Sequence, residues 1–445
     1  MRNEADFLSG PTGKGAGANE TGGGEKIMIH EFGFGTEKQQ IEIPDKNLYR
    51  ELLANDDIEF SPEDADVGYA LEHPIASKRL KEIIRPGEKI AIITSDITRP
   101  MPTSRVMPAL LAELEAGGAD PGDITLVFGL GSHRKQTEDE KKKLAGDFAY
   151  RRIRIEDSDP SDCIHMGVTA NGTPVDITRT VAEADRRIAL GNIEFHYFAG
   201  YSGGVKAIMP GVSTPAAIQA NHKLMIRPES CAGRLEGNPV REDIEEAGRI
   251  CPVDFILNVV LDEHKNIVKV VCGDPVKAHR AGTRFLDRLY TKEIEEQADI
   301  VIVSQGGAPK DLNLYQTQKA LDNSKHAVKD GGIILLIGSC GEGYGEHTFE
   351  DWMLHSQSPE DLVGKIRKEF ILGGHKAAAI GMVLQRAEIY LVSHMDPALV
   401  ERSFMKPYSS AQQAFDDALA KMGPEAKVIT MPYGGSVLPR LAEHK

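Results

Sequence analysis

Short apolar runs rich in β-branched residues recur along this chain, and segments with the periodicity of amphipathic helices lie between them. Many of the runs are followed by Gly, Ser, Asp or Thr, residues that commonly end a strand. Alternation of this kind predicts an α/β fold. The predicted strands form two sets, at 90–94, 124–128, 187–193 and 256–261, and at 300–304, 332–337, 388–393 and 427–433. We therefore expect two α/β domains.

The chain has 445 residues, which at about 150 residues per domain allows two or three domains. The one long stretch between the two strand sets is helical and lies around 277–297, so we place the boundary near residue 280. We predict α/β domains at 27–280 and 281–445. Residues 1–26 contain seven glycines and few apolar residues, which predicts a disordered tail, whereas alternating residues after 27 predict a hairpin or edge strand.

Charge and hydropathy exclude several classes of function. The formal net charge of −15 argues against general binding to nucleic acid or anionic membranes. No run reaches the roughly 18 apolar residues of a membrane span, and no signal-peptide core is present, so we expect a cytoplasmic protein. The five cysteines never form a CxxC pair, which argues against a structural zinc site or a disulfide framework.

Polar side chains follow the first two predicted strands. Asp96, Thr98 and Arg99 lie in a proline-restrained segment after 90–94 and offer a carboxylate, a hydroxyl and a guanidinium suited to a hydroxylated anion. The alternative is a helix cap beside a surface arginine. His133 follows 124–128 in a glycine loop and is a candidate acid or base, or else an exposed or helix-capping histidine. That loop lacks the third glycine of a dinucleotide-binding fingerprint.

The densest polar segment is 191–206, which is rich in glycine and contains His196 and Lys206. It is not a Walker A loop, because Ala207 follows Lys206 where the magnesium-binding Ser or Thr would stand. A lysine among small apolar residues is partly desolvated, which lowers its pKa and favours a covalent link to a cofactor; the alternative is phosphate binding by charge. His222 is a candidate metal ligand, but no HxH, HxxxH or HExxH pattern accompanies it, so other ligands would have to come from a cofactor.

The second set of strands is also followed by polar residues. Gln316 and Lys319 are three residues apart and share a predicted helix face, where an amide and a cation could hold a carboxylate or hydroxyl. An exposed helical lysine is the simpler alternative. The glycine-rich segment 338–345 follows another strand, and we predict a mobile loop on the ligand side.

In combination, these motifs resemble the nickel-dependent lactate racemase family in order and spacing. The resemblance rests on SDITRPMP at 95–102, GSHR at 131–134, the segment 196–206, the NH pair at 221–222 and YQTQK at 315–319. It implies two α/β domains that enclose the site in the cleft between them, with a cofactor-binding first domain and a second domain that completes the substrate site. The implied activity is racemisation or epimerisation of a 2-hydroxy acid.

The resemblance also implies the cofactor, a nickel-pincer nucleotide (pyridinium-3,5-bisthiocarboxylic acid mononucleotide) in which one carbon and two sulfurs hold the nickel. Lys206 would form its covalent thioamide link, and His222 would complete the coordination of nickel. Transient cofactor-maturation proteins are implied partners, and the oligomeric state is left open. Further cofactor-binding residues would be Asp96, Thr98, Ser202, Gly203 and Gly204.

In the implied reaction, one histidine takes the hydroxyl proton while hydride leaves for the cofactor, and hydride then returns to either face of a planar keto acid. His133 and His196 would be the paired acid/base groups. Arg99 and Lys319 would orient the carboxylate and polarise the hydroxyl, and Gln316 would assist in substrate binding.

One position departs from the family. Lactate-acting members have a tryptophan in the second domain where this chain has Gly373, Gly374, His375 and Lys376, and its single tryptophan, Trp352, lies elsewhere. We assign His375 to the substrate pocket and expect a larger or more polar acid than lactate, such as a sugar acid, malate or an aryl lactate. Two other hypotheses remain: an NAD-dependent 2-hydroxyacid dehydrogenase, and a non-catalytic nucleotide- or nickel-binding protein.

Overall fold

A computed structural model describes residues 26–55, 58–262 and 264–442. All but the last residue of the predicted tail at 1–26 lies outside these described residues. The strands, in chain order, are β1 Ile27–Phe34, β2 Glu37–Pro44, β3 Leu48–Glu51, β4 Ile90–Ser95, β5 Ile124–Gly129, β6 Arg154–Asp157, β7 Cys163–Val168, β8 Pro174–Thr178, β9 Arg186–Asn192, β10 Phe195–His196, β11 Gly200–Tyr201, β12 Phe255–Leu261, β13 Ile267–Gly273, β14 Thr291–Ile294, β15 Ala298–Ser304, β16 Val328–Ile337, β17 Glu388–Val392, β18 Lys406–Tyr408, β19 Val428–Met431 and β20 Leu438–Leu441.

The α-helices alternate with these strands through most of the chain. They are α1 Val67–Glu72, α2 Leu80–Ile83, α3 Thr103–Ala116, α4 Glu138–Tyr150, α5 Arg179–Ala182, α6 Pro215–His222, α7 Pro239–Ile250, α8 Lys277–Tyr290, α9 Leu314–Ser324, α10 His347–His355, α11 Pro359–Lys368, α12 Gly374–Leu384, α13 Pro397–Arg402 and α14 Ala411–Met422. None of the helices in the described ranges is long and apolar enough to cross a membrane.

The first six-stranded sheet has the order β13-β12-β9-β4-β5-β6. Its strands are parallel except for β13, which runs antiparallel to β12. Every residue of β12 is buried, as expected for a strand covered by helices on both faces. The carboxyl ends of β4, β5 and β9 meet at one edge, and ligands of open α/β sheets bind beyond such an edge.

The second six-stranded sheet has the order β18-β17-β16-β15-β19-β3, and all of its neighbouring strands are parallel. Its edge strand β3 comes from the N-terminal part of the chain. The predicted hairpin is confirmed as β1 and β2, and its apolar side packs on this second sheet through Phe32, Phe34, Ile41 and Ile43. These long-range pairings left no local signal in the sequence.

The predicted α/β class is confirmed, and each of the eight predicted strands corresponds to a strand of a central sheet. The predicted division near residue 280 falls inside α8, which packs on β12 and β13 of the first sheet. The exact domain boundary stays a prediction.

Candidate active site

A hydrogen-bonded triad lies beyond β4 and β5. The carboxylate of Asp96, which is 3% exposed, accepts from His133 Nδ1 at 2.7 Å through Oδ2. Its Oδ1 accepts from the Thr98 hydroxyl at 2.7 Å and from the Thr98 amide at 3.2 Å. Burial raises the pKa of Asp96, but the hydrogen bonds from His133 and Thr98 and the positive charges of His133 and Arg99 together outweigh burial, so the net pKa lies below the usual value. The charged carboxylate fixes the imidazole with its proton on Nδ1, so Nε2 of the neutral ring has a free lone pair.

His196 lies in the short strand β10, beyond the carboxyl end of β9. Burial, and then the positive charges of Lys206 and Arg99, hold the pKa of His196 well below 6.5. Its Nδ1 accepts from the amide of Ala199 at 3.3 Å, which assigns the proton of the neutral ring to Nε2. The neighbouring Tyr197 ring is parallel to the imidazole, with 5.4 Å between ring centroids. The two predicted acid/base histidines therefore have opposite tautomers.

Lys206 is held by a tight glycine turn. Gly203 and Gly204 have φ values of +76° and +60°, and Lys206 follows in a 3₁₀ turn, Gly204–Ala207. The Gly204 amide donates to Asn258 Oδ1 at 2.7 Å, and a Cβ on Gly203 would lie 2.8 Å from the same oxygen. Glycine is required at both positions because the backbone turns left-handed against a buried side chain.

Behind this turn is a buried network that the sequence analysis missed. His279 is fully buried; its Nδ1 accepts from Arg241 at 3.1 Å and its Nε2 donates to the Ser202 carbonyl at 2.8 Å. Arg241 also pairs with Glu245 at 2.8 Å. The sequence signal that could have revealed this network is the presence of polar residues on the buried faces of the amphipathic helices α7 and α8. Ser202 itself donates to the Asn192 carbonyl at 2.7 Å, so its hydroxyl braces the loop.

The amine of Lys206 has no hydrogen-bond or ion-pair partner among the described residues. Burial, and then the charges of Arg99 and Arg241, lower its pKa to about 7. An amine with this pKa is about half neutral at pH 7, and the neutral form is the nucleophile.

His222, at the end of α6, is oriented through Asn221. The Asn221 amide nitrogen donates to Asp243 Oδ2 at 2.8 Å and to the Val240 carbonyl at 3.2 Å, so its oxygen faces His222 Nδ1 at 3.0 Å. The neutral imidazole therefore carries its proton on Nδ1 and presents Nε2 as a lone-pair donor. This is the usual arrangement of a metal-binding histidine with a hydrogen-bonded outer partner.

Side chains of the second domain close the site. The His222 ring meets Phe370 at 5.3 Å, and the Tyr197 ring stacks on His375 at 6.3 Å. Burial and the charge of Lys376 lower the pKa of His375 to about 3. The Lys319 side chain is exposed to the cleft. Loss of hydration between the surrounding protein atoms, and then the positive charge of Arg99, lower its pKa.

The structure thus brings most of the predicted site residues to one cleft between the two sheets. Arg99 is the common neighbour, since its charge acts on groups from both domains. Those groups are Asp96, His196, Tyr197, Lys206, Tyr315, Lys319 and Lys376. Gln316 lies one turn before Lys319 in α9, and its side chain makes no hydrogen bond to another described residue. Gly203 and Gly204 lie beneath Lys206 and contact protein atoms.

The fold and this cleft define a two-domain α/β enzyme. The family model "Lactate racemase N-terminal domain" matches residues 34–233, and "Lactate racemase C-terminal domain" matches residues 294–438. The chain belongs to the lactate racemase family and is an isomerase.

Named relatives agree with this assignment. A lactate racemase of Thermoanaerobacterium thermosaccharolyticum is 33% identical over 423 residues, which cover 92% of this chain and 99% of the relative. A lactate racemase of Lactiplantibacillus plantarum is 31% identical over 84% of this chain and 91% of its own length. The lactate racemase apoprotein structure from T. thermosaccharolyticum superposes with a TM-score of 0.85, covering 93% of this chain and all of that one. A Thermotoga maritima protein, 18% identical, shares the fold with a TM-score of 0.62 over 88% of this chain and all of its own.

Proposed function

We propose that this enzyme inverts the hydroxyl-bearing carbon of a 2-hydroxy acid and that it uses a nickel-pincer nucleotide held by Lys206 and His222. The observation that carries the proposal is the unpaired amine of Lys206, with its pKa lowered to about 7, beside a histidine whose Nε2 lone pair is fixed by Asn221. A covalent attachment point and an oriented metal ligand are the two protein groups that such a cofactor requires.

The residues present fit this group. Within the described ranges, no three His, Cys, Asp or Glu side chains gather as a metal site, so the protein alone offers nickel too few donors. His222 is buried and packs against Phe198 with 4.8 Å between ring centroids. One protein nitrogen in an aromatic pocket suits a metal whose remaining donors belong to its cofactor. When bound, the nucleotide supplies the hydride-acceptor chemistry that inversion through a planar keto acid needs.

Arg99 and Lys319 bind and orient the substrate carboxylate. They approach the cleft from opposite domains, and neither has a carboxylate partner within 4 Å among the described residues. A guanidinium and an ammonium without partners form a strong anion site, and a bound carboxylate offsets their mutual repulsion. Substrate binding would therefore also draw the two domains together and exclude water from the cleft.

His133 acts as the base in one direction of the reaction. Its Nε2 lone pair accepts the hydroxyl proton, and the Asp96 carboxylate stabilises the imidazolium that forms. In the reverse direction the same nitrogen returns the proton. Asp96 is therefore a positioning residue for His133 in addition to any contact it makes with the cofactor.

His196 is the acid/base group for the other stereoisomer of the substrate. In the tautomer described above, Nε2–H donates a hydrogen bond to the substrate oxygen, which favours negative charge there. To accept a proton at Nε2, the ring proton must move to Nδ1, which faces the Ala199 amide. The two histidines are thus unequal in the resting enzyme, with His133 set to accept and His196 set to donate a hydrogen bond.

We propose a substrate more polar than lactate, because polar side chains occupy this part of the second domain. His375 and Lys376 stand where the resemblance implies a tryptophan, and both are buried beside Tyr197 and Tyr315. Cofactor-maturation proteins would act as transient partners. We also propose a cytoplasmic location, which fits five cysteines that are all free.

The decisive experiment measures the intact mass of the denatured protein after co-expression with cofactor-maturation enzymes and nickel. We expect an adduct of pyridinium-nucleotide mass in the wild type and in Lys277→Ala, an exposed lysine control, and none in Lys206→Ala. We expect His222→Ala to keep the adduct and lose nickel. Nickel without an adduct would overturn the covalent link, and absence of both would overturn the cofactor.

The reaction is tested on the same loaded protein with a panel of single-enantiomer 2-hydroxy acids. We expect inversion at C2 without a change in nicotinamide absorbance. Formation of reduced nicotinamide would instead establish a dehydrogenase, and adduct without any turnover would establish a carrier.

A further inference from the structure

The buried polar atoms without a hydrogen-bond partner within the described ranges include three that we consider together: Tyr197 Oη, Gln318 Oε1 and Asp322 Oδ1. Gln318 and Asp322 are 0% and 2% exposed. A buried polar atom without a hydrogen-bond partner has lost its hydration without gaining a hydrogen bond in return, which destabilises the protein. Three such atoms in one region indicate a ligand that supplies their partners.

Two of the three atoms belong to the helix face that carries Lys319. Gln318 and Asp322 are four residues apart in α9, and Lys319 and Asp322 are three apart, so all three lie on one side of the helix. Gln318 Nε2 donates to Asp322 Oδ2 at 2.5 Å, which leaves Gln318 Oε1 and Asp322 Oδ1 as the unsatisfied acceptors. Lys325 Nζ lies 3.5 Å from Oδ1, in ion-pair range but without hydrogen-bond geometry. Lys319, which we propose binds the substrate carboxylate, therefore lies on the same side of α9 as these two unsatisfied acceptors.

Tyr197 lies beside the predicted acid/base histidine His196. Its ring is parallel to that of His196, so the phenol extends beside the acid/base imidazole. Burial, and then the negative charge of Asp322, raise the pKa of Tyr197 well above 10, while Arg99 lowers it. The hydroxyl is therefore within electrostatic range of an arginine of the first domain and an aspartate of the second.

Lys376, at the start of α12, adds donors to the same region. It is 6% exposed, and its Nζ donates to the Tyr315 carbonyl at 2.6 Å above the Tyr315 ring. No carboxylate oxygen lies within 4 Å of it among the described residues. Burial, and then the charge of Lys319, hold the pKa of Lys376 well below its usual value. Even the neutral amine has two N–H donors, and the Tyr315 carbonyl accepts one of them.

These four residues, which we call the side-chain subsite, select among possible substrate side chains. They are Tyr197, Gln318, Asp322 and Lys376. An alkyl or aryl group satisfies none of their free donors and acceptors. A carboxylate accepts from Tyr197 and Lys376, but it has no proton for the two acceptors and is repelled by Asp322. A hydroxyl both donates and accepts, so a chain of hydroxyls satisfies all four residues.

We infer that the side-chain subsite binds the hydroxylated chain of an aldonate, a polyhydroxy 2-hydroxy acid of four or more carbons. The inference rests on the proposed function, since the subsite borders the carbon that the enzyme inverts. A substrate of this class has further stereocentres, so the enzyme would be a C2 epimerase of sugar acids.

The test compares holoenzyme, loaded by co-expression with maturation enzymes and nickel, on lactate, glycerate, erythronate, gluconate, malate and phenyllactate. We expect kcat/KM to rise with the number of side-chain hydroxyls, to on the order of 10²-fold over lactate for erythronate or gluconate. In Tyr197→Phe, we expect the ratio of aldonate to lactate kcat/KM to fall about tenfold. Asp322→Asn, which nearly preserves shape but replaces one acceptor by a donor, should lower the same ratio. Tyr69→Phe, at an exposed tyrosine, should leave it unchanged.

A second readout uses the unloaded chain. We expect erythronate or gluconate to raise the thermal unfolding midpoint more than lactate does at equal concentration, and Tyr197→Phe to reduce the difference. Preference for lactate or phenyllactate in both assays would overturn the inference and leave the proposed function intact. Aldonate stabilisation without any C2 inversion would support the subsite and overturn the proposed function, and absence of both effects would overturn both.

Discussion

Replacement of Asp96 by Asn is expected to inactivate His133 without removing it. The Thr98 amide donates to Oδ1 of residue 96, and only an oxygen can accept there. In Asp96→Asn the amide oxygen therefore stays on Thr98, and the NH₂ group faces His133 Nδ1, where it donates. The imidazole must then carry its proton on Nε2, which removes the lone pair that takes the substrate proton.

A positioned general base contributes about 10²–10⁴-fold to a rate, so kcat/KM should fall by that factor. The loss should be equal from either stereoisomer, because both directions pass through the same transition states. Since Asn fits the same space and keeps the Thr98 hydrogen bonds, the free energy of unfolding should change by only about 1 kcal/mol. The loss would therefore be kinetic and not structural.

The assay follows C2 inversion by chiral chromatography on loaded enzyme, with intact mass to verify cofactor content. Nitrogen chemical shifts of His133 report the tautomer directly. Asp176→Asn is a matched control, since Asp176 accepts from His165 at 2.6 Å in an equivalent pair on the hairpin of β7 and β8. If Asp96→Asn kept kcat/KM within about threefold, or if His133 kept its Nδ1 proton, the assignment of His133 as an oriented base would be wrong.

Three further predictions concern the cofactor side of the cleft. Acetylation of the Lys206 amine in unloaded protein should be half-maximal near pH 7, because the lowered pKa makes the neutral amine dominant above that pH. Peptide mass spectrometry measures the labelling, and labelling only above pH 9 would contradict the prediction. Asn221→Ala should lower nickel retention against a chelator by about 10–100-fold, since the Nδ1 proton of His222 loses its acceptor, and retention equal to wild type would show that the orientation is unimportant. Gly204→Ala should destabilise the chain in denaturant titrations by about 1–3 kcal/mol more than Gly172→Ala, because both positions have positive φ but only at Gly204 would the new Cβ approach protein atoms, at 3.0 Å; equal losses would refute the packing argument.

Much of the fold follows from local pattern. The apolar runs of the central strands are long, β-branched and bounded by small polar residues, so β4, β5, β9 and β12 were all predictable. The contribution of β3 to the second sheet was not, because its partner β19 lies nearly 400 residues later and pairing across such a distance leaves no periodicity in either segment. The short strands β10 and β11 also lack a sequence signal.

For the site, motifs identified the groups but not their partners. His133 and Asp96 were each singled out, yet their 2.7 Å hydrogen bond joins loops from two strands and cannot be read from a spacing of 37 residues. The sequence analysis did not single out Asn258, although it is the one amide in the otherwise apolar strand β12. Tyr197 and Asp322 resembled ordinary core and helix residues until the fold placed them beside the cleft.

The α/β class, the edge of the first sheet where the candidate site lies, and the residue types available there follow from local sequence, because they depend on periodicity and on which residues follow a strand. Only the folded chain shows which nitrogen of each histidine carries the proton, how burial lowers the pKa of Lys206, and which buried polar atoms lack a hydrogen-bond partner. These properties depend on distance, burial and the direction of hydrogen bonds between segments far apart in the chain, and they exist only after the two domains have closed around one cleft.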